Sequence, residues 1–216
     1  MSSASKAGQY LKLANPIGFN VPEWEDTCTG IGGDFEAEKK VKNYFPNCTF
    51  IGADPSYQSG KPFQDIGQFI NVAVTDKNGT VTSLVLENST YVNKQVRSID
   101  FYTMLQYTNT TDIDFFFLDI EGGEYSIIPL LSKKYLKNYH LCQLSMEIHG
   151  FNNGEYGMTH EKFTKQIFDL LNESSYLPIF GQYVQNGGFN RMFWVDYESN
   201  FCVEKYFHDY CLYVSS

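Results

Sequence analysis

The stretch FFFLDIEGGEYSII, residues 115–128, decides the fold of this chain. Its first four residues are apolar without alternation, which is typical of a central strand covered on both faces. We predict this strand from Ile113 to Ile120, and the acidic, glycine-rich residues after it predict a turn. A helix is predicted from Tyr125 to Leu136, in which Pro129 is tolerable only near the first turn. A buried strand followed by a helix indicates an α/β protein.

Strands alternate with helices on both sides of this stretch. Before it we predict a weak strand over 24–29, a helix over 35–45 and a buried strand over 48–53. A strand over 69–75 and its partner over 80–86 are predicted to form a hairpin with a turn at 76–79. A strand end with a short helix is predicted over 98–106. After it we predict a strand over 141–148, a helix capped by Thr159 with an apolar face of Phe163, Ile167, Leu170 and Leu171, and closing strands over 177–184 and 191–196. This order predicts a mostly parallel sheet with a final antiparallel insertion.

The length and charge of the chain bound its class. A chain of 216 residues fits one domain. The formal net charge is −9, and no run of Lys and Arg exceeds two residues, so a nucleic-acid substrate is not expected. No stretch reaches 18 apolar residues, so no transmembrane segment is expected, and the polar N-terminus lacks the apolar centre of a signal peptide.

Cysteines and glycosylation sequons leave the compartment open. The five cysteines form no CxxC pair, which argues against zinc. Most are expected to be buried, while Cys202 and Cys211 could bridge in an oxidising compartment. Asn-x-Ser/Thr sequons favour a secretory lumen, and the missing leader favours the cytosol. The five sequons begin at Asn47, Asn78, Asn88, Asn109 and Asn172.

A glycine loop precedes the first predicted helix. Residues Gly30 to Gly33 allow backbone amides to approach a ligand, and the helix N-terminus offers free N–H donors. Asp54, about twenty residues later, ends the next strand and can accept the hydroxyl protons of a ribose. Loop and acid together predict a nucleoside-type cofactor without separating NAD from S-adenosylmethionine.

Titratable residues follow the next two strands of the predicted sheet. Asp119 and Glu121 come directly after the central strand, and Glu147 and His149 end the following one. Ligands of open α/β sheets bind just beyond such strand ends. Glu147 and His149 are two apart on a strand and therefore point the same way. We expect these side chains to form one cluster of carboxylates and an imidazole.

The residues now quoted resemble the FkbM-type methyltransferases. FFFLDIEGGEYSII resembles the family's signature, an Asp-x-Glu-Gly-x-Glu motif after the fourth strand. NVAVTDKNGTV, SIDFYTML and SMEIHG resemble its neighbouring segments, and GIGGDFEAEKK with FIGADPS resembles the cofactor half in a divergent form. The resemblance covers roughly residues 24–197 of a single domain, 1–216, with a polar segment 1–23 and an extension 198–216. It implies a class I (Rossmann-like) fold, that is, one seven-stranded, mostly parallel sheet with an antiparallel last strand and helices on both faces.

The resemblance also implies roles for individual residues. It implies that Gly30 and Gly32 face the methionine moiety of S-adenosylmethionine, that Asp54 binds the ribose, that Ala73 lies near the adenine and that Asp119 lies beside the reacting methyl group. Glu121, Glu147 and His149 become candidates for holding or deprotonating an acceptor hydroxyl. Many family members carry an acid two residues before the first glycine, where this chain has Cys28. The acid that would receive the methionine amino group is then either missing or supplied by Asp26 or Asp34.

These implications predict an S-adenosylmethionine-dependent O-methyltransferase acting on a small or carbohydrate-like acceptor. His149 is our first choice for the general base, because an unperturbed imidazole suits proton removal near neutrality. No metal is expected, although Asp119, Glu147 and His149 are oxygen and nitrogen ligands that could bridge one. Two alternatives stay open, a methyltransferase-fold binding module without activity and a nicotinamide-dependent oxidoreductase.

Overall fold

The structure is a computed structural model, and it describes residues 27–29, 36–87, 90–150, 157–184 and 188–207. Several predicted features lie outside these residues. They are Asp26, the glycine loop with Gly30 and Gly32, Asp34, the sequon at Asn88 and the cysteine at 211.

Ten strands and six helices are present in the described part of the chain. The strands are β1 (Thr27–Thr29), β2 (Thr49–Ala53), β3 (Gln68–Ile70), β4 (Ala73–Thr75), β5 (Gly79–Glu87), β6 (Thr90–Asp100), β7 (Asp112–Leu118), β8 (His140–His149), β9 (Tyr176–Val184) and β10 (Phe189–Asp196). The helices are α1 (Glu36–Tyr44), α2 (Tyr57–Gly60), α3 (Phe101–Gln106), α4 (Glu124–Ile127), α5 (His160–Glu173) and α6 (Asn200–Tyr206). Two 3-10 turns follow α2 and α4, at Lys61–Asp65 and Ile128–Leu131.

The main sheet runs in the order β3-β2-β1-β7-β8-β10-β9. Strands β3, β2, β1, β7 and β8 pair in parallel, and β10 is antiparallel to both of its neighbours, β8 and β9. The predicted α/β class and the antiparallel closing strands are therefore confirmed. Because β2, β7 and β8 are parallel, their carboxyl ends lie at the same edge of the sheet.

A second sheet, in the order β4-β6-β5, corrects the expectation of a single sheet. The predicted strand over 69–75 is broken at Val72, whose N–H bonds the carbonyl of Ile70, and the Asn71 amide bonds the carbonyl of Asp54. Its first part, β3, stays in the main sheet, and its second part, β4, pairs with β6. The predicted hairpin is also wrong, because β5 pairs antiparallel with β6 and not with β4.

The central strand carries apolar side chains into two separate buried clusters. Phe116 and Leu118 belong to the largest cluster, which also contains Trp194 and residues of β8. Phe115 packs against a second cluster around Phe50 and Val41. Neighbouring residues of β7 thus enter different cores, which confirms that this strand is covered on both faces.

The helix after the central strand differs from its prediction. Helix α4 covers four residues only, Glu124–Ile127, and continues as a 3-10 turn at Ile128–Leu131. Pro129 lies in this turn, where its missing N–H ends the α-helical hydrogen-bond pattern. The later helix fits its prediction, because the Thr159 side chain accepts from the N–H of Lys162 and the predicted apolar face packs on the main core.

The cysteine pairing also differs from the prediction. Cys202 forms a disulfide with Cys142, and not with the cysteine at 211 that is nearest in sequence. The bond joins α6 to β8 across a sequence separation of 60 residues, and both cysteines are fully buried. The pairing predicted from proximity in the sequence is therefore wrong, because packing of α6 against β8 places the Cys142 and Cys202 thiols together. Within the described residues, no helix is long and apolar enough to cross a membrane.

Candidate active site

Three strand ends bring acidic side chains and an imidazole to one edge of the main sheet. Asp54 follows β2, Asp119 follows β7, and His149 is the last residue of β8. The charge of Glu121, in the turn after β7, acts on both Asp54 and Asp119. The structure therefore brings together the cluster that the strand order predicts.

The turn after β7 is held by a buried carboxylate. Glu124 is fully buried at the start of α4, and its two oxygens accept from the N–H groups of Ile120 and Gly122, each at 2.9 Å. Glu121 and Gly122 adopt positive φ angles of 51° and 95°. A β-carbon added to Gly123 would lie 2.9 Å from the Ile120 side chain. The two glycines and the last glutamate of the signature thus fix the shape of this turn.

The same glutamate orients His149. The imidazole Nδ1 lies 3.2 Å from Glu124 Oε1, which leaves Nε2 facing Glu121 Oε2 at 3.7 Å and Asp119 Oδ1 at 3.9 Å. Burial lowers the pKa of His149, but the hydrogen bond with Glu124 and the three carboxylate charges outweigh it and raise the pKa to about 9. The expectation of an unperturbed pKa is therefore wrong, and His149 is protonated at neutral pH.

Asp119 has one enclosed oxygen that accepts no hydrogen bond. Its side chain is 38% exposed as a whole, yet Oδ1 is buried and has no hydrogen-bond partner in the described part of the chain. Burial raises the pKa of Asp119 to about 7, the charge of Glu147 adds to this rise, and the charge of His149 opposes it. A half-enclosed carboxyl with a pKa near neutrality is suited to exchange a proton.

Asp54 ends β2 in a half-buried position. Its Oδ1 accepts from the N–H of Ser56 at 2.6 Å. Burial raises the pKa of Asp54 to about 6, the hydrogen bond from Ser56 lowers it, and the charge of Glu121 adds to the rise. The hydrogen bond from Ser56 fixes the position of the Asp54 carboxylate, while burial and Glu121 make its negative charge unfavourable. A ligand that donates hydrogen bonds or carries positive charge would stabilise this carboxylate.

Tyr91, at the start of β6, connects the second sheet with the same acidic cluster. Its hydroxyl donates to Glu121 Oε1 at 2.6 Å, while the ring remains half exposed. Burial, this hydrogen bond and the charges of Glu121, Asp119 and Asp54 all raise the pKa of Tyr91. The hydroxyl therefore acts as a hydrogen-bond donor at this site.

Glu147, a predicted member of the acidic cluster, is paired with an arginine of the neighbouring strand. Arg191, its directly opposite partner on β10, forms an ion pair with it, and Arg191 Nε donates to Glu147 Oε1 at 2.8 Å. The compact group with metal-ligand spacing is Asp119, Glu121 and His149, whose ligand atoms lie within 4.8 Å of one another. Glu121, and not the predicted Glu147, therefore completes the set of possible metal ligands with Asp119 and His149. Glu147 lies outside this set and acts on Asp119 through its charge.

Ala73 lies in the buried interior of the second sheet, next to Val85 and Val96. Its predicted place near an adenine stays a prediction. Cys28 lies in β1, between Phe50 of β2 and Phe115 of β7 in the ladder. The glycine loop directly after it lies outside the described residues.

Sequence reasoning missed three residues of this edge. Glu124 was visible as the third acid of the signature, and its spacing after two glycines was a usable signal. Tyr91 and Arg191 gave none, because each reaches the site through pairing of strands that are distant in sequence.

The described geometry combines an α/β sheet with an acidic cluster at its carboxyl edge, and sequence comparison gives the family. The family described as methyltransferase FkbM domain matches residues 14–178. The chain therefore belongs to the FkbM methyltransferase family. A comparison with curated proteins gives no match.

Two solved structures are similar over most of the chain. One is described as an rRNA methylase from Clostridium thermocellum, with a TM-score of 0.45 and 8% identity, covering 90% of this chain and 96% of that one. The other is a tryptophan-to-alanine mutant of a 16S rRNA (adenine(1408)-N(1))-methyltransferase from Catenulisporales acidiphilia, with a TM-score of 0.39 and 11% identity, covering 88% and 90%.

Proposed function

We propose that this domain transfers a methyl group from S-adenosylmethionine to a hydroxyl oxygen of a small or carbohydrate-like acceptor. The observation that carries the proposal is the enclosed Oδ1 of Asp119, which accepts no hydrogen bond from the described residues and lies at the sheet edge where Asp54 and His149 also lie. Membership of the FkbM methyltransferase family supplies the reaction class.

The residues at this edge fit a cationic nucleoside cofactor. S-adenosylmethionine carries a sulfonium and an ammonium group, and carboxylates whose pKa values are raised by burial and by one another favour such a ligand. When bound, it would supply the electrophilic methyl group. Asp54 would accept from the ribose hydroxyls, since its other oxygen is anchored by Ser56. Gly30, Gly32 and Asp34 would face the methionine moiety, and Ala73 the adenine, as the family resemblance implies.

Asp119 is the group to which we assign removal of the acceptor proton. Its pKa of about 7 matches the working range of a general base. His149 is protonated in this range, so we place it as the cation that keeps Asp119 and Glu121 together. This assignment reverses the preference for His149 that its unperturbed pKa suggested. Glu121 would accept from a second hydroxyl group of the acceptor and hold it in place.

The charges of the site favour a neutral, hydroxyl-bearing acceptor. Asp119, Glu121 and Glu147 present carboxylates, and the nearby arginine, Arg191, is paired with Glu147. An anionic acceptor would be repelled by this arrangement, whereas hydroxyl groups can donate to carboxylates. The half-exposed ring of Tyr91 beside Glu121 offers an apolar surface of the kind that packs on a sugar face.

Substitution of Asp54 tests the cofactor half of the proposal. Asp54→Asn keeps the shape of the side chain and removes its charge, so calorimetric affinity for S-adenosylmethionine should fall by at least about tenfold, since a charged hydrogen bond contributes roughly 1.5–3 kcal/mol. Asp65→Asn, at an exposed acid of the following 3-10 turn, is the control and should leave the affinity unchanged.

Equal affinities of the two variants would remove Asp54 from the cofactor site. A single-turnover assay with labelled cofactor and hydroxyl acceptors then separates an enzyme from a binding module. Cofactor binding without transfer to any acceptor tested would favour the binding module.

A further inference from the structure

The disulfide between Cys142 and Cys202 lies in the interior of the protein. Both side chains have no exposed surface, and the bond ties α6 to β8 at the end of β8 that is opposite to His149. A pair of cysteines packed into a core in bonding contact forms a stable disulfide where the surroundings are oxidising. In the cytosol, thiols are kept reduced by cellular reductants. The position of this bond therefore points to an oxidising place of maturation.

The positions of three sequons supply an independent observation. Asn47 lies two residues before the start of β2, Asn109 lies in the turn before β7, and Asn172 lies in the last turn of α5 before β9. All three asparagines are exposed. Strands β2 and β7 are parallel, and β9 has the same direction as β8 because both are antiparallel to β10. The three asparagines therefore lie at the amino edge of the main sheet.

This edge is opposite to the candidate active site. Asp54, Asp119 and His149 lie at the carboxyl ends of their strands. Large glycans at the amino edge would extend into solvent without crossing the cofactor or acceptor side. The arrangement is compatible with modification of all three sites in an active protein.

Asn78 differs from these three, although it too is exposed. Its side-chain N–H donates to Asp100 Oδ2 at 2.5 Å, and its side-chain oxygen accepts from the N–H of Asp100 at 3.0 Å. Asp100 in turn caps α3 by accepting from the N–H of Thr103. A glycan on the Asn78 amide would disturb this turn, so its occupancy should be lower than at the other sites.

We infer that this domain matures in an oxidising, N-glycosylating compartment, with a Cys142–Cys202 disulfide and glycans at Asn47, Asn109 and Asn172. In disulfide formation the two thiols lose two protons and two electrons to a protein disulfide, which is reduced to two thiols. In glycosylation the Asn Nδ2 bonds to the sugar C1 of a lipid-linked oligosaccharide diphosphate, the C1–oxygen bond to the diphosphate breaks, and Nδ2 loses one proton. Neither step depends on the proposed methyl transfer.

Peptide mapping of the native protein from its source tests both modifications. Enzymatic deglycosylation in heavy-oxygen water should convert Asn47, Asn109 and Asn172 to labelled aspartate, with less label at Asn78. Digestion without reductant should give the Cys142 and Cys202 peptides as one linked species that separates on reduction. Unlabelled asparagine at all three sites, or free thiols at both cysteines, would overturn the inference.

A stability measurement shows whether the bond contributes to the fold. Reductant should lower the melting temperature of the native protein by roughly 5–15 °C, because a loop of this length restricts the unfolded chain. A Cys202→Ala variant, which adds no buried polar group, should melt near this lower temperature with and without reductant. A wild-type melting temperature that does not respond to reductant, after the linked peptide has been shown to separate, would contradict a structural disulfide.

Discussion

Glu124 connects the shape of the signature turn with the charge of the imidazole. One oxygen is shared between the N–H of Ile120 and His149 Nδ1, and the other holds Gly122. Because Glu124 is fully buried, its charge is compensated by these donors and not by water. It is therefore a positioning residue, which acts on the candidate chemistry through His149 and the turn.

Glu124→Gln should separate this positioning role from a purely structural one. The amide keeps the size of the side chain but cannot carry the charge that raises the pKa of His149, so this pKa should fall toward its ordinary value. Turnover should drop by about 10- to 100-fold, since a hydrogen bond to a charged group contributes roughly 1.5–3 kcal/mol. NMR titration of the histidine side chains measures the pKa, with His140, which faces Ser199, as an internal control. An unchanged His149 titration would contradict the assigned coupling.

The pH dependence of turnover distinguishes the two base assignments. If Asp119 removes the proton, kcat/KM should rise with pH through an apparent pKa near 7 and fall above about 9, where His149 loses its charge. If neutral His149 were the base, the rate would rise through about 9 and show no fall above it. These values belong to the coupled cluster as a whole.

Two variants complete the test of the base. Asp119→Asn should lower the rate by about 10²–10⁴-fold, which is typical of the loss of a general base. His149→Gln should remove the falling limb above about 9. If kcat/KM of the His149 variant still fell above about pH 9, the fall would have to come from the titration of another group.

At the scale of elements, the second sheet is the least expected part of the fold. The strand over 69–75 reads as continuous, and only the side-chain bond from Asn71 to the Asp54 carbonyl and the turn at Val72 divide it. The partner of β5 is β6, and the sequence between them, residues 88–89, is Asn-Ser, which contains neither Gly nor Pro. Local patterns therefore favoured the Asp76–Gly79 turn, although long-range pairing decides the topology.

Tyr91 connects the second sheet to the candidate active site. Tyr91→Phe removes the hydroxyl that donates to Glu121 and keeps the ring. Turnover should fall by about 3- to 10-fold, in line with a net contribution of roughly 0.5–1.5 kcal/mol for a half-exposed hydrogen bond, while S-adenosylmethionine affinity stays constant. Tyr107→Phe, at another exposed tyrosine in the turn after α3, is the matched control. Steady-state kinetics and calorimetry on both variants check this, and equal rates would place Tyr91 outside the acceptor site.

The elements of the main sheet were largely predictable, and so was the position of the cluster. An apolar run without alternation identified β7, and the carboxyl ends of parallel strands placed Asp119 near His149 before any contact was known. The pairing of individual charges was not predictable. Glu147 forms an ion pair with Arg191 because the register of β10 on β8 places them opposite each other, and neither strand's sequence alone predicts this register. The disulfide followed tertiary packing in the same way.

At the scale of the whole molecule, the charge of the candidate site adds to a general excess of negative charge. The formal net charge is −9, and the carboxylates of the site contribute unfavourable local charge to this total. Besides Tyr91, three groups of the site, Asp54, Asp119 and His149, have pKa values above their ordinary range. Each of them binds a proton more readily in the folded protein than in the unfolded chain. Each of these groups therefore lowers the free energy of unfolding as the pH rises.

Stability should fall as pH rises from about 4 to about 9. For Asp54 and Asp119 the penalty of ionisation in the fold accumulates between the unfolded value of 3.8 and the folded values of about 6 and about 7. The contribution of His149 is complete below its unfolded pKa of 6.5 and is lost as pH rises through about 9. Asp100 and Glu198, whose pKa values are lowered from 3.8 and 4.5, act in the opposite sense at the acidic end of this window and below it. Self-repulsion of a chain with net negative charge adds to the fall at high pH.

Urea unfolding at pH 5, 7 and 9 measures this slope directly. The free energy of unfolding should be highest at pH 5 and lowest at pH 9. Asp119→Asn should flatten the curve between pH 5 and 7, and His149→Gln should flatten it between pH 7 and 9, since each variant removes one proton-binding difference. Lys165→Gln, which breaks an exposed pair with Asp169 on α5, serves as the control and should shift the curve without changing its slope in this window. Constant or rising stability from pH 5 to 9 would mean that the cluster does not hold its protons in the folded state. The raised pKa values on which the assignment of Asp119 as base depends would then be wrong as well.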